Sequence, residues 1–367
     1  MSSPAAGTQD TQTIRPCRTF EGHTTSAVND IIHMPGGHQI MTCSGDGSLR
    51  VWNLDSGEQI GKDWRDGKSG IYAMALSPDE KKVACGSADG AVTLWDIATG
   101  KLNAKWSGHR ELVTSLCWNK DGGRVVSGSQ DDEARVWDVK SGETILPIKT
   151  GLAYVQAVVY SPDATMIATG GGNEEKECIK IWDAGSGKLV INLKGHNGET
   201  VYCLAWSTDG GMLISGSADK TIRTWNTTTW QETAVLRGHT GDVYAVAMSP
   251  NGRILASAGD NTVRLWNLEN SQPIGSPLKD VGSMNHAVSF SADGKILATG
   301  FRGRNACTWD ISVIIREADQ LNPNVSLTFL ISESWQLEPI QLNALSHWQG
   351  GGKSLLDVRG TFLVIAP

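Results

Sequence analysis

No run of 18 apolar residues occurs in this chain, so no membrane-crossing helix is expected. The opening MSSPAAGTQDTQT lacks the basic end and apolar core of a secretion signal. The 7 cysteines include no Cys-x-x-Cys pair, so a metal site has no support. Cys43, Cys85, Cys117 and Cys203 fall inside strand-like runs and read as small buried hydrophobes. These features point to a reducing, intracellular setting, cytoplasmic or nuclear. Positive charge is also short. Lys and Arg number 32 against 39 Asp and Glu, a net −7, which argues against a nucleic-acid grip or a polybasic membrane anchor.

What is present is repetition. An aromatic residue followed by an acid or amide recurs at Trp52-Asn53, Trp95-Asp96, Trp137-Asp138, Trp182-Asp183, Trp225-Asn226, Trp266-Asn267 and Trp309-Asp310, every 41 to 45 residues. That spacing lies in the range of repeat arrays. The clearest unit is GHNGETVYCLAWSTDGGMLISGSADKTIRTWN, residues 195–226. Val201, Leu204 and Trp206 mark a first strand, a, and Ser-Thr-Asp-Gly-Gly is turn chemistry. Met212 to Ser217 reads as strand b, Thr221 to Trp225 as strand c, and Gln231 to Leu236 as strand d. The joining turns are too short for crossover helices, so the unit is an antiparallel meander. The unit has no stretch with helical length or period. Such a sheet must bury both faces, which stacking of units achieves.

Gly-His, then Ser-x-Asp-Gly, then Ser-Gly-Ser-x-Asp, then Trp-Asp/Asn resembles the WD-repeat β-propeller family, at the level of the repeat arrays of G-protein β type and of innate-immune receptor proteins. The resemblance covers roughly residues 14 to 310. It implies an all-β, seven-bladed propeller of four-stranded antiparallel sheets. It also implies a closing latch, with Ile14 to Phe20 supplying the outer strand of the last blade. Residues 1–13 are expected to be disordered, 14–310 to form the propeller, and 311–367 to be a tail of uncertain order. Within that tail, ISVIIREADQLN reads as a poor strand d, and residues 321–367 carry no repeat signature.

The family resemblance further implies a network that holds each buried Trp through a His, a strand-b Ser or Thr, and a turn Asp. Four blades carry the full set: His23, Thr42, Asp46 and Trp52; His109, Ser127, Asp131 and Trp137; His196, Ser215, Asp219 and Trp225; His239, Ser257, Asp260 and Trp266. Three blades depart. The second lacks Gly-His and has Cys85 where Ser is expected, the fourth has Thr150-Gly151 and an inserted GGNEEKE, and the seventh has Gly303 in place of the turn Asp. Their b–c turns are expected to be the more mobile ones.

Recurring Ser, His and Asp invite a hydrolase reading, but a nucleophile site occurs once and these recur beside every full-set Trp. Gly352-Lys353-Ser354 is half of a phosphate-binding loop, with His347 where its first Gly belongs. No enzyme activity, cofactor, metal or small-molecule substrate is expected. The remaining signal is a ring. The residue after the first apolar position of each strand a is Asn29, Tyr72, Thr114, Gln156, Tyr202, Tyr244 and His286. The family's geometry implies that these face the mouth on the side where the d–a and b–c loops gather. Arg110, Glu174, Glu175, Arg302 and Arg304 flank them, with acid on blade 4 and base on blade 7. The expected function is a non-catalytic scaffold that presents a rigid disc to protein or peptide partners. The alternative is a recognition subunit for modified-histone or degron peptides in a larger enzyme complex.

Overall fold

The computed structural model describes residues 16–24, 27–172, 177–279, 285–303, 305–320, 354–356 and 362–364. The segment 1–13, expected to be disordered, lies outside the described residues.

Seven four-stranded antiparallel sheets follow one another along the chain, each in the order of its sequence except the last. The innermost strands are Val28–His33, Ile71–Leu76, Val113–Trp118, Tyr154–Tyr160, Val201–Trp206, Val243–Met248 and Asn285–Phe290. Each packs against the next, and the seventh packs against the first, so the ring of blades is closed. Strand b is almost wholly buried and strand c largely so, because both faces of every sheet meet a neighbouring blade. Alternating β-branched residues suit that double burial.

The glycine of the Ser-Gly-Ser phrase has a packing cause. A Cβ on Gly86, Gly128, Gly170, Gly216 or Gly300 would stand 2.6–2.8 Å from Val113, Val155, Val201, Val243 or Val28, the first valine of the next blade. The missing side chain lets adjacent sheets approach at that height. The contact from Gly300 to Val28 crosses the seam between the last blade and the first.

The N-terminal segment closes the last blade as expected, but the strand is shorter than Ile14 to Phe20 at its start, and residues 14 and 15 lie outside the described residues. Arg18–Glu21 forms the outer strand of the last sheet, pairing with Asn305–Asp310 in the register Arg18↔Thr308 to Glu21↔Asn305. Cys17 N–H extends it by donating to Thr308 O at 2.8 Å. The segment after Asp310 differs from expectation. Ser312–Gln320 is a helix, not a weak strand d. The outer slot is already filled by the N-terminal strand, so the chain must turn away. Asp310 accepts from Ser312 N–H at 2.9 Å and caps the first turn. Ile311 and Ile314 are buried while Val313 is 55% exposed, so one face of the helix closes onto the core of the last blades. In the second compact unit, Asp319–Pro367, Ser354–Leu356 pairs antiparallel with Phe362–Val364. Among the described residues, no helix is long and apolar enough to cross a membrane.

Candidate functional site

Two constellations hold most of the polar chemistry. The first is the set of Trp networks. Trp52, Trp137, Trp225 and Trp266 donate their indole N–H to Thr42, Ser127, Ser215 and Ser257 at 2.8–3.0 Å. Each hydroxyl also meets the Nε2 of its His, at 2.9, 2.6, 2.7 and 2.7 Å in the same order. Nδ1 of each His lies within hydrogen-bond distance of Asp46, Asp131, Asp219 or Asp260. Burial holds all four imidazoles below their ordinary pKa, although each carboxylate pulls the other way. A neutral ring satisfies every group in only one arrangement. Nδ1–H donates to the carboxylate, Nε2 accepts from the hydroxyl, and the hydroxyl accepts from the indole. Burial pushes the carboxylates up, but donated hydrogen bonds outweigh it. Ser48 and His23 supply them at Asp46, and His239 and Thr240 at Asp260, which is held down to about 2. The spacing mimics a hydrolytic triad, yet the Ser127, Ser215 and Ser257 side chains are fully buried and their lone pairs serve the indoles.

The glycine preceding each of these histidines answers to the same packing. A Cβ on Gly22, Gly108, Gly195 or Gly238 would meet the indole rim at 2.6–3.1 Å. It would also meet Arg50, Arg135, Arg223 or Arg264 of strand c. These four arginines occur only in blades with Gly-His. The sequence reading passed over them, although an Arg two positions before the Trp was visible there.

The three departing blades keep a hydroxyl acceptor for the indole and lose the His. Trp182 and Trp309 donate to Thr169 and Thr299 of strand b at 2.9 and 3.0 Å. Trp95 donates to Thr93, because Cys85 fills the usual slot. In blade 2, Lys105 Nζ bridges Asp66 at 2.9 Å and Asp89 at 3.6 Å, tying the d–a loop to the b–c turn where a His would otherwise stand.

The second constellation is the ring at the mouth. The pairing register shifts at the same place in all seven inner strands, leaving Asn29, Tyr72, Thr114, Gln156, Tyr202, Tyr244 and His286 as the extra, unpaired residue of a bulge. A bulge re-aims a side chain out of the pleat. The ring is therefore a backbone feature, not a run of seven coincidences. Its members are put to different uses. Asn29 Nδ2 donates to Ile71 O at 2.8 Å, and Thr114 Oγ1 to Val155 O at 2.7 Å, so both stitch one blade to the next. Tyr72 is 39% exposed. Gln156 is half-buried. Tyr202, Tyr244 and His286 form a continuous aromatic crescent over three blades, with ring centroids 5.0 and 4.8 Å apart and tilted by 47° and 41°. Tyr244 donates its hydroxyl to Asp242 at 3.4 Å. Burial, then the Asp242 charge, pushes the Tyr202 phenol up to about 12. Burial and then Arg302 lower His286, which keeps its ring neutral at physiological pH.

Of the flanking charges, Arg110 reaches the exposed Asp132 at 3.4 Å and the carbonyl of the buried Asp131 at 3.2 Å. Arg302 is exposed beside His286 and Tyr244. Glu174, Glu175 and Arg304 lie outside the described residues. Glu177 binds Asn192 at 2.6 Å, toward the outer strand of its blade. Among the described residues, no cluster of His, Cys, Asp and Glu is arranged to hold a metal ion.

A family model described as WD domain, G-beta repeat matches residues 14–53, 61–96, 100–138, 187–226 and 230–267. The unmatched blades are the fourth and seventh, two of those that lack Gly-His. The chain is 25% identical over 322 residues to a guanine nucleotide-binding protein subunit beta of Arabidopsis thaliana, covering 80% of this chain and 71% of that one. It is 27% identical over 193 residues to the small ribosomal subunit protein RACK1y of Oryza sativa subsp. japonica, 51% of this chain and 43% of that one. It is 41% identical over 98 residues to the human WD repeat and SOCS box-containing protein 1, 26% of this chain and 22% of that one. The matched stretch thus spans less than half the length of the last two.

Proposed function

The chain belongs to the WD-repeat β-propeller family, whose members are protein-interaction scaffolds, and from that premise we propose that it is a non-catalytic scaffold gripping a partner polypeptide at the mouth of the ring. The observation that carries this reading is the Tyr202, Tyr244 and His286 crescent with Asp242 at its edge. Aromatic rings with polar tips bring large contact area at small entropy cost. Bulges on packed inner strands hold them, so a partner loses freedom while the receptor loses little. The buried Trp networks leave their hydroxyls no route to a substrate, which supports the non-catalytic reading. The net −7 supports protein over nucleic acid as partner. Seven cysteines, an odd number without metal-ligand spacing, fit a reducing, intracellular setting.

A second reading has one observation in its favour. Two tilted rings beside a carboxylate suit a cationic side chain, as a peptide-recognition subunit of a larger complex would present. The test for both is Tyr202→Ala with Tyr244→Ala, compared with wild type by affinity capture from cells. Loss of specific partners with an unchanged melting temperature is expected. An unchanged partner set refutes the mouth as the binding site. Loss only of partners with basic segments favours the second reading.

A further inference from the structure

Among the described residues, every blade ends in an outer strand with one edge unpaired. Natural sheets guard such edges with charge, proline or glycine. Six of the seven outer strands do so: Arg18–Glu21, Gln59–Trp64, Lys101–Ser107, Thr144–Lys149, Glu232–Arg237 and Gln272–Lys279 each contain at least one such residue. The outer strand of blade 4, Leu189–Leu193, contains none; it reads LVINL. It pairs only with Ile179–Asp183 on its inner side among the described residues. Leu189 and Val190 are 46% and 48% exposed, the highest values among large apolar residues of the propeller strands. A lysine stands at each end: Lys188 is exposed, and Lys194 is 81% exposed with Glu177 at 3.7 Å.

We propose that this edge is a strand-addition site. An extended segment of another protein, apolar at its centre and acidic at both ends, pairs with Leu189–Leu193 as a fifth strand of blade 4. The unpaired backbone groups supply the hydrogen bonds, the exposed Leu189 and Val190 accept apolar side chains, and the two lysines set partner charge, Lys194 exchanging Glu177 for a carboxylate of the partner. A second copy of this chain is the poorer occupant. Antiparallel self-pairing about Ile191 sets Lys188 opposite Lys194 of the other copy at both ends, and like charges facing across a ladder destabilise it. The site lies on the outer strand and is separate from the mouth, where Tyr202 and Tyr244 sit on inner strands, so failure here leaves that reading standing.

The test uses the full chain and two synthetic peptides with the same Val-Ile-Val-Ile centre, one flanked by pairs of glutamate, the other by pairs of lysine. Amide exchange of residues 189–193 and anisotropy titration are the readouts. The acid-flanked peptide is expected to slow exchange across 189–193 and to bind at least about tenfold tighter than the lysine-flanked one. Lys188→Glu with Lys194→Glu, both on the surface, should reverse that preference, and Val190→Glu should abolish protection by the acid-flanked peptide. Equal binding of both peptides, or protection that survives Val190→Glu, overturns the proposal. So does dimerisation of the chain in sedimentation that Val190→Glu abolishes, because the occupant is then a second copy.

Discussion

The indole N–H of Trp95 donates to Thr93 Oγ1 at 3.0 Å, two residues back on the same strand. In the other six blades the acceptor belongs to the neighbouring strand b. Cys85 occupies that place here, opposite Thr93 in the ladder, as Ser127 stands opposite Arg135 in blade 3. Burial raises the Cys85 thiol well above its ordinary pKa, so it stays a neutral, weak partner. The acceptor has moved one strand outward.

Thr93→Val therefore leaves a buried donor without an acceptor, which costs about 1–3 kcal/mol. Urea unfolding should show the loss as a lower midpoint. Adding Cys85→Ser restores an acceptor at the strand-b position and should recover most of it. An unchanged midpoint in Thr93→Val would show that the indole is satisfied otherwise.

Acidification should weaken the fold. The four network histidines are held below the ordinary 6.5 by burial, so the unfolded chain takes up their protons first as pH falls through 6.5. Their aspartates are depressed below 3.8, so they also favour the fold at neutral pH and lose that contribution further down. Asp30 has the opposite sign. Burial raises it to about 6, so its protonation on acidification favours the fold. Burial also lowers His33, to about 4, and His286, so six histidines outnumber it, and the melting temperature should drop between pH 6.5 and about 5. His239→Gln should make that drop shallower. A slope that does not change with the substitution would exclude the His239 imidazole as one of its sources.

Phe20 closes the seam. It is 1% exposed on the latch strand, and its ring lies 5.9 Å from Trp52 of the first blade. Phe20→Ala should cost about 3–5 kcal/mol, as core truncations of aromatic residues do. A loss below about 1 kcal/mol in urea unfolding would mean that the ring closes without this strand's side chains.

Blade 2 relies on Lys105 where four other blades use a histidine. That bridge is partly exposed and screened, so it is a weaker tie than a buried network. Faster amide exchange is expected at residues 88–90 than at residues 130–132, the matching turn of blade 3. Lys105→Met should widen the gap. Equal rates in the two turns would remove the expectation that blades without Gly-His are softer.

Much of this molecule is legible in its chain. The period from Trp52 to Trp309, the Gly-His pairs and the alternating strands state the blade count and the internal order of each sheet, because each is a local rule about turns, pleats and capping of buried donors. The four full networks are what the family resemblance implies for blades that carry Gly-His, a strand-b Ser or Thr and a turn Asp. The ring at the mouth is legible as positions, since the bulge recurs with the repeat.

What the chain alone leaves open depends on neighbours distant in sequence. Ser312–Gln320 has apolar residues that serve either a strand or a helix, and the choice falls to the N-terminal strand, which takes the outer slot first. Trp95 finds its acceptor only when strands b and c are set side by side and sulfur stands where oxygen was needed. Asn29 and Thr114 are spent on the next blade's carbonyls while Tyr202, Tyr244 and His286 stack on one another. Periodic spacing assigns all seven the same address, and only the packing of one blade against another gives each side chain its partner.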